Sequence, residues 1–222
     1  MKKIQALKAR ARDFTFKKKQ FADLSKLENV FLYAGDIPPR KEYKEFIGLS
    51  LTQWGKYHIK HNVLDKYPLA NESVDRYQSE DVFEHIERSR LPEVINEIYR
   101  ILKKGGRFRL ALPDYKCDIL FERTLKDEKG NLLFDAVGGG NFINGKVLNG
   151  GHLWFPTYAL VNEILEQTNF KNIQFLHYYD EAGNGVTNKI DYSLGYVMRT
   201  PDHDDRVKNP YRPMSIVVDC IK

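Results

Sequence analysis

Carboxylates and a histidine stand together in one short stretch of the chain, residues 79–87, which reads SEDVFEHIE. These are the side chains that most often move protons near neutral pH. His85 is a candidate contact for a substrate, although a single histidine is more often a structural hydrogen-bonding residue. His152, Asp114 and His203 lie farther along the chain and are further candidates for a general base.

The stretch lies between a predicted strand and a predicted helix. Apolar residues recur at intervals of three and four over residues 91–102, which predicts a helix with one buried face. The turn Gly105-Gly106 can close that helix, and residues 107–113 alternate polar and apolar as a strand does. A strand, a helix and a strand in this order form one unit of a parallel sheet, whose ligands bind at the carboxyl ends of the strands. Residues 79–87 and the residues that follow the second strand should therefore face a ligand.

Other apolar runs predict the rest of an α/β sheet. The predicted strands are Val30–Ala34, Phe46–Leu51, Tyr57–Leu64, Val74–Gln78, Asn172–Tyr178 and Ser215–Ile221. A second helix is predicted near residues 158–165, where the three-and-four spacing returns. The chain should fold as one α/β domain.

The ordered combination of VFEHIE, EIYRILKKGG and a strand that ends in LP resembles the class I S-adenosylmethionine-dependent methyltransferases. It is most similar to the small bacterial and viral enzymes of polysaccharide synthesis, and the resemblance runs from about Val30 to Lys222. It implies a Rossmann-like, seven-stranded, mostly parallel sheet with helices on both faces and an antiparallel last strand. It also implies S-adenosylmethionine as the cofactor and a sugar hydroxyl, in a glycan or a glycan precursor, as the methyl acceptor.

The resemblance further implies which residues line the cofactor site. They are Ala34, Gly35, Asp36, Ser50, Asn62, Val63, Ser79 and Glu80. Asp65 is a nearby alternative to Asn62 beside the adenine, and the other interpretation of both residues is a turn. The chain departs from the family where Tyr33 replaces a glycine and where Ser50 replaces an acid that binds the ribose hydroxyls. Because a hydroxyl binds a ribose more weakly than a carboxylate does, we expect weak cofactor binding. The alternative is a non-catalytic binding module that keeps the fold and has lost the cofactor site.

Transfer of a sulfonium methyl group is an in-line displacement, so positioning of the acceptor oxygen supplies most of the rate. A hydroxyl acceptor also benefits from a general base. His152 is the first candidate, ahead of His85, Asp114 and His203. An ordinary histidine in that role would make the rate rise with pH through about 6.5.

A long segment, residues 114–156, precedes the second helix, and residues 138–151 contain six of the chain's fifteen glycines. Segments of this length are usually functional or disordered, and the aromatic residues in this one argue against disorder, so we predict a lid. The later cluster Asp202–Asp205 contains carboxylates and His203, which are metal-ligand types. Its spacing matches no calcium loop, and we expect a solvated loop and no resident metal.

The N-terminus is strongly basic. Residues 1–20 contain eight Lys or Arg and one Asp, and Ile4, Leu7, Ala11 and Phe14 share one stripe of a possible helix. Such a helix can lie on an anionic membrane, or it can pack on the sheet edge with a solvated basic face. Nucleic acid is an unlikely partner, because no aromatic stacking platform accompanies the charge. We predict a basic arm, residues 1–24, and a methyltransferase-like domain, residues 25–222.

Composition limits the remaining choices. The 222 residues, 42% of them apolar, suffice for one core, and the net charge is +5. The absence of a long apolar run predicts a cytoplasmic protein, or one that touches the membrane only through the arm. Two cysteines, Cys117 and Cys220, are too few for a disulfide framework or a zinc site. The oligomeric state stays open.

Overall fold

In the computed structural model of the protein, residues 19–222 are described. Most of the predicted basic arm, residues 1–18, therefore lies outside the described residues. Within residues 19–222 there are three α-helices: α1 is Leu91–Ile101, α2 is Asp118–Arg123 and α3 is Tyr158–Glu166. The strands are β1 Phe31–Ala34, β2 Ile47–Ser50, β3 His58–Lys60, β4 Val74–Glu80, β5 Leu102–Pro113, β6 Leu125–Lys126, β7 Leu132–Phe134, β8 Asn141–Ile143, β9 Lys146–Leu148, β10 Asn172–Tyr179, β11 Gly185–Thr187 and β12 Ser215–Ile221.

Eight of these strands form one central sheet, in the order β3-β2-β1-β4-β5-β12-β10-β11. The first five are mutually parallel, and β12 runs antiparallel between β5 and β10. The Rossmann-like α/β prediction is confirmed. The predicted number of seven strands is corrected to eight within the described chain, because a tight turn at residues 180–184 folds β11 back onto β10.

The two faces of the sheet are covered differently. Helices α1 and α3 pack on one face, against side chains such as Leu32, Leu110 and Ile216. Helices were expected on the other face as well, but there the connections around residues 36–46 and 190–198 form short 3₁₀ turns and irregular chain. The dipeptide Pro38-Pro39 in the first connection disfavours a helix, since a proline ring clashes with the preceding helical turn.

Two charged residues in β4, which a buried parallel strand should not contain, have partners. Arg76 lies over the ring of Phe31, 4.5 Å from its centroid, and donates to the carbonyl of Ser193. Asp75 accepts from the ammonium of Lys103 at 2.7 Å. These charges stay near the rim of the sheet, where the contacts satisfy them.

The sequence suggested that Gly105 caps α1. That prediction is wrong, because the helix ends earlier, at Ile101. The glycine lies instead in an irregular start of β5, with φ of +76°, where the pairing with β4 shifts register. Gly105 thus adopts the left-handed conformation that was predicted for a helix cap, but this conformation shapes the start of strand β5 instead.

The glycine-rich segment, residues 114–156, is folded. It contains α2 and two hairpins, β6 with β7 and β8 with β9. The rings of Phe134 and Phe142 stack at 5.8 Å and join the hairpins. Movement of this segment as a lid stays a prediction.

The chain enters the domain through a 3₁₀ turn, Phe21–Lys26. Leu24 is buried in the main core, and the ring of Phe21 packs edge-on against His61 at 5.1 Å. Residues 21–24, which the sequence grouped with the arm, are therefore packed on the domain. No helix within residues 19–222 is both long enough and apolar enough to cross a membrane.

Candidate active site

The carboxyl ends of β1 and β4 approach each other closely at Gly35. Its φ is +90°, a conformation that favours glycine, and its N–H donates to the carbonyl of Leu49 at 2.9 Å. A Cβ atom built on Gly35 would lie 3.3 Å from Cγ2 of Val82. The glycine therefore places partly exposed backbone, without a side chain, at the edge where ligands of parallel sheets bind.

The end of β2 is occupied by a pair of contacts that the sequence did not suggest. The hydroxyl of Ser50 accepts from the backbone N–H groups of Thr52 and Gln53, which engages both of its lone pairs. The side-chain amide of Gln53 in turn donates to the carboxylate of Asp36 at 2.8 Å. A carboxylate does stand beside the end of β2, and the β1 loop supplies it.

Asn62 and Val63 follow β3 and serve the fold. The side-chain oxygen of Asn62 accepts from the N–H of Leu64 at 3.0 Å and closes a turn. Val63 is buried in the main core. The turn was the alternative interpretation of Asn62, and its geometry uses one lone pair of the side-chain oxygen and leaves the other lone pair and the amide NH₂ for a ligand.

At the end of β4, Ser79 pairs in register with Ala34 of β1, and both are fully buried. The Ser79 hydroxyl has no hydrogen-bond partner among the described residues. Glu80 points to the opposite face of the sheet, where its carboxylate accepts from Tyr43, Gln78 and the N–H of Met198. Burial raises the pKa of Glu80. Only its backbone lies at the ligand edge.

Tyr33 does not obstruct this edge. Its ring is buried on the same face as Glu80 and packs edge-on against Tyr43 at 5.6 Å. The replacement of a family glycine by Tyr33 is therefore accommodated inside the protein.

A second polar group lies past the end of β4. The ring of His152 is nearly buried, with its centroid 4.7 Å from that of His85 and its Nε2 atom 3.6 Å from Oε1 of Glu84. The structure thus brings His85 and His152 together, although the two residues lie far apart in sequence.

Hydrogen bonds hold this group in place from both sides. The N–H of Leu153 donates to the carbonyl of Glu84 at 2.8 Å, and the indole N–H of Trp154 donates to the carbonyl of Phe83 at 3.1 Å. A Cβ atom on Gly138 would overlap the His152 ring, so only glycine lets the glycine-rich segment lie against that ring. The position of His152 is set by backbone contacts and not by its own side chain alone.

A chain of side chains fixes the tautomer of His152. Arg123 donates to the carboxylate of Asp135, and the hydroxyl of Tyr115 also donates to that carboxylate, at 2.7 Å. The Tyr115 oxygen lies 2.5 Å from Nδ1 of His152. Because the hydroxyl hydrogen is committed to Asp135, Nδ1 must carry the proton and donate, which leaves the lone pair on Nε2 facing Glu84.

Burial shifts the acidity of this group. It lowers the pKa of His152 to about 4, with the neighbouring His85 adding to the effect, and it raises the pKa of Glu84 well above its ordinary value. His152 is therefore neutral near pH 7, and burial disfavours the ionised form of Glu84. The value of about 6.5 expected for His152 as a general base is not its value in this environment.

Asp114 and His203 lie elsewhere. Asp114 is buried and accepts from the N–H groups of Lys116 and Tyr179, while burial raises its pKa to about 6. His203 lies among the rings of Tyr192 and Tyr196 on the helix-free face.

The acidic cluster at residues 202–205 has protein partners. Asp204 pairs with Arg206 at 2.5 Å, Asp205 pairs with Lys208 at 2.6 Å, and Asp202 accepts from the hydroxyl of Tyr192. These contacts pair the carboxylates with neighbouring side chains and so stabilise the connection that precedes β12.

Three functional candidates were missed from the sequence: Tyr115, Arg123 and Asp135. All lie in the glycine-rich segment, and their contact with His152 depends on how that segment folds back. No spacing in the sequence marks them. The Asp36–Gln53 contact was missed for the same reason.

Comparisons with known proteins agree with this architecture. Residues 42–110, which run from before β2 into β5, match the family described as "Methyltransferase domain". No curated protein matches the chain. An S-adenosylmethionine-dependent methyltransferase from Archaeoglobus fulgidus superposes with a TM-score of 0.50 at 13% identity, over 98% of this chain and 94% of that one.

A second similar structure is an S-adenosylmethionine-dependent methyltransferase from Thermotoga maritima, described as a possible histamine N-methyltransferase. It has a TM-score of 0.51 at 17% identity and covers 90% of this chain and 86% of that chain. At such identities the likeness concerns the fold. Residues 42–110 thus match a methyltransferase domain, and the chain shares the fold of these two S-adenosylmethionine-dependent methyltransferases.

Proposed function

We propose that the protein transfers a methyl group from S-adenosylmethionine, bound at the carboxyl ends of β1, β2 and β4, to a sugar hydroxyl. The observation that carries the proposal is the edge built by Gly35, Asp36 and Ser79 within the sheet order of the methyltransferase fold. The matching segment, residues 42–110, supplies two of the three strands that form this edge.

The residues at the edge fit the cofactor. Gly35 lets a ligand approach the backbone without meeting a side chain, although its N–H donates to the carbonyl of Leu49, and the buried Ser79 hydroxyl lacks a partner within residues 19–222. Asp36 is solvent-exposed and can accept from ribose hydroxyls, the role expected of an acid at residue 50. Leu51, 64% exposed beside Ser50, offers apolar surface for an adenine ring. When bound, the cofactor would supply an electrophilic methyl group.

The acceptor class rests on the resemblance of the sequence and on the character of the neighbouring group. Glu84, His85 and His152 present polar atoms past the end of β4, which suit a hydroxyl better than an apolar acceptor. Burial lowers the pKa of His152 to about 4, so this imidazole alone is a weak base at neutral pH, and we expect positioning of the acceptor oxygen to supply most of the rate.

The test is transfer of a radiolabelled methyl group from S-adenosylmethionine to panels of oligosaccharides and nucleotide sugars, with amines and proteins as comparison acceptors. Label in a sugar, located as a methoxy group by NMR, supports the proposal. Transfer confined to amines would overturn the acceptor class. Failure to bind the cofactor at all would favour the binding module over the enzyme.

A further inference from the structure

Three side chains meet past the end of β4 with atoms that suit a metal ion. Glu84 is completely buried, and neither of its carboxylate oxygens has a hydrogen-bond partner within residues 19–222. The buried Nδ1 atom of His85 also lacks a partner in that part of the chain. Potential ligand atoms of Glu84, His85 and His152 all lie within 4.8 Å of one another.

Such an arrangement is costly without a ligand. Burying a polar group with no hydrogen bond costs roughly 1–3 kcal/mol on the scale of protein mutations, and more if the group is charged. Two unpartnered carboxylate oxygens beside an unpartnered imidazole nitrogen are therefore unusual in a packed interior. A cation at their centre would satisfy all of them at once.

The tautomer of His152 is set for coordination. Its Nδ1–H donates to Tyr115, so its Nε2 lone pair is directed at the side of Glu84. The series Arg123, Asp135, Tyr115 supports the imidazole from behind. Metal-binding histidines characteristically donate their other N–H to such a supporting group.

We propose that Glu84, His85 and His152 bind one divalent transition-metal ion through two imidazole nitrogens and one carboxylate, with the remaining coordination positions open. Two ligands bonded at about 2.1 Å to a tetrahedral ion are about 3.4 Å apart, close to the 3.6 Å between His152 and Glu84. His85 is partly exposed and can close the remaining distance by a change of side-chain torsion. Imidazole ligands favour Zn²⁺, Co²⁺, Fe²⁺ or Ni²⁺ over Ca²⁺ and Mg²⁺.

The surrounding charges are compatible with a cation. Asp81 and Arg199 form an ion pair at 2.5 Å next to the group, and the charges of this pair offset each other. Asp135 is likewise paired with Arg123. Within the described residues, the two arginines near the group are each paired with a carboxylate, so they would not strongly repel a dication bound to ionised Glu84.

An open coordination position would bind the acceptor hydroxyl and lower its pKa, as metal ions do for bound water, so that the proton would pass to solvent water while the oxygen bonds to the methyl group and the sulfur–methyl bond breaks. This last step rests on the proposed methyl transfer. Binding of the ion does not, since it can be measured without cofactor or acceptor.

The experiment titrates Co²⁺ into the full-length chain, purified without an affinity tag and stripped with chelator, and follows the visible absorption of the bound ion. We expect one equivalent to bind and Zn²⁺ to displace it. Glu84→Gln, His85→Ala and His152→Ala should each weaken binding beyond the roughly 10- to 100-fold loss typical of supporting residues, and Tyr115→Phe should fall within that range.

His203→Ala is the matched control, because His203 also stands 3.6 Å from a carboxylate, that of Asp202. It should bind Co²⁺ as the wild type does. The proposal would be overturned if the wild type showed no saturable binding of Co²⁺. It would also be overturned if the Glu84→Gln and His85→Ala variants bound Co²⁺ as tightly as the wild type does. Thermal melts establish that these variants are folded, and Glu84→Gln preserves the shape of the buried side chain should His152→Ala fail to fold.

Discussion

The side-chain amide of Gln53 donates to the carboxylate of Asp36 at 2.8 Å and so joins the loop after β1 to the loop after β2. This contact brings an acid to the place where the family resemblance expects one at residue 50. Ser50 itself uses its hydroxyl to hold the turn at Thr52 and Gln53. The acid is thus displaced along the chain but present at the edge.

Asp36→Asn should weaken the binding of S-adenosylmethionine. Loss of a hydrogen bond to a charged acceptor costs about 1.5–3 kcal/mol, which corresponds to roughly 10- to 100-fold in the dissociation constant. Isothermal titration calorimetry measures this directly. Asp205→Asn, at an exposed acid in the connection before β12, serves as the control. Equal affinity of Asp36→Asn and the wild type would remove Asp36 from the cofactor site.

The buried ion pair of Arg109 and Asp219 should be important for stability. Arg109 donates to both oxygens of Asp219 at 2.7 Å, and both side chains are nearly buried. Arg109→Met leaves the carboxylate poorly compensated, so we expect a loss of about 3–5 kcal/mol in the free energy of unfolding, measured with urea. Arg107→Met removes the more exposed partner of the same carboxylate and should cost less. A reversed order of the two losses would contradict this account.

Asp114 should make stability fall as the pH rises from about 4 to about 6. Its pKa is raised from the ordinary 3.8 to about 6 by burial, so in this window the unfolded chain is ionised while the folded one keeps the proton. Ionisation then favours unfolding by about 1.4 kcal/mol per pH unit, or about 3 kcal/mol in all. Asp114→Asn should show a shallower fall in denaturant titrations across this range. Identical slopes for both proteins would be incompatible with the raised pKa.

The sequence predicted the elements with strong local patterns. The strand Ser215–Ile221 was found with its observed bounds, and the helix over residues 91–102 ends one residue early. These succeed because alternation and three-and-four spacing are set by burial of one face. The strand β11 was missed because its three residues carry no such pattern.

Much of the site depends on contacts between distant residues, which no local pattern encodes. The direction of the Glu80 side chain depends on Tyr43 and Met198 across the sheet, and the tautomer of His152 depends on Tyr115 and Asp135. Sequence reasoning could place His85 and His152 near the same edge. It could not show that Glu84 lies between them without a hydrogen-bonding partner in the described chain.

Two N-terminal deletions of different length can test whether the basic arm binds membranes or stabilises the domain. Removal of residues 1–18 should leave the melting temperature unchanged and abolish sedimentation with phosphatidylserine vesicles, if the arm binds anionic membranes. Removal of residues 1–22 also deletes Phe21, which packs on His61 and Tyr67, and should lower the melting temperature. Vesicle binding that survives the shorter deletion would place the membrane contact elsewhere.

The most direct test of the account is titration of the wild-type protein with S-adenosylmethionine in a calorimeter, beside Gly35→Val. We expect saturable binding of one cofactor per chain to the wild type. Gly35→Val should lose it while circular dichroism stays native, because a side chain there strains the backbone at a φ of +90° and fills the space beside Val82. Absence of heat and of any thermal shift at millimolar cofactor would contradict the assignment and leave a binding module with this fold.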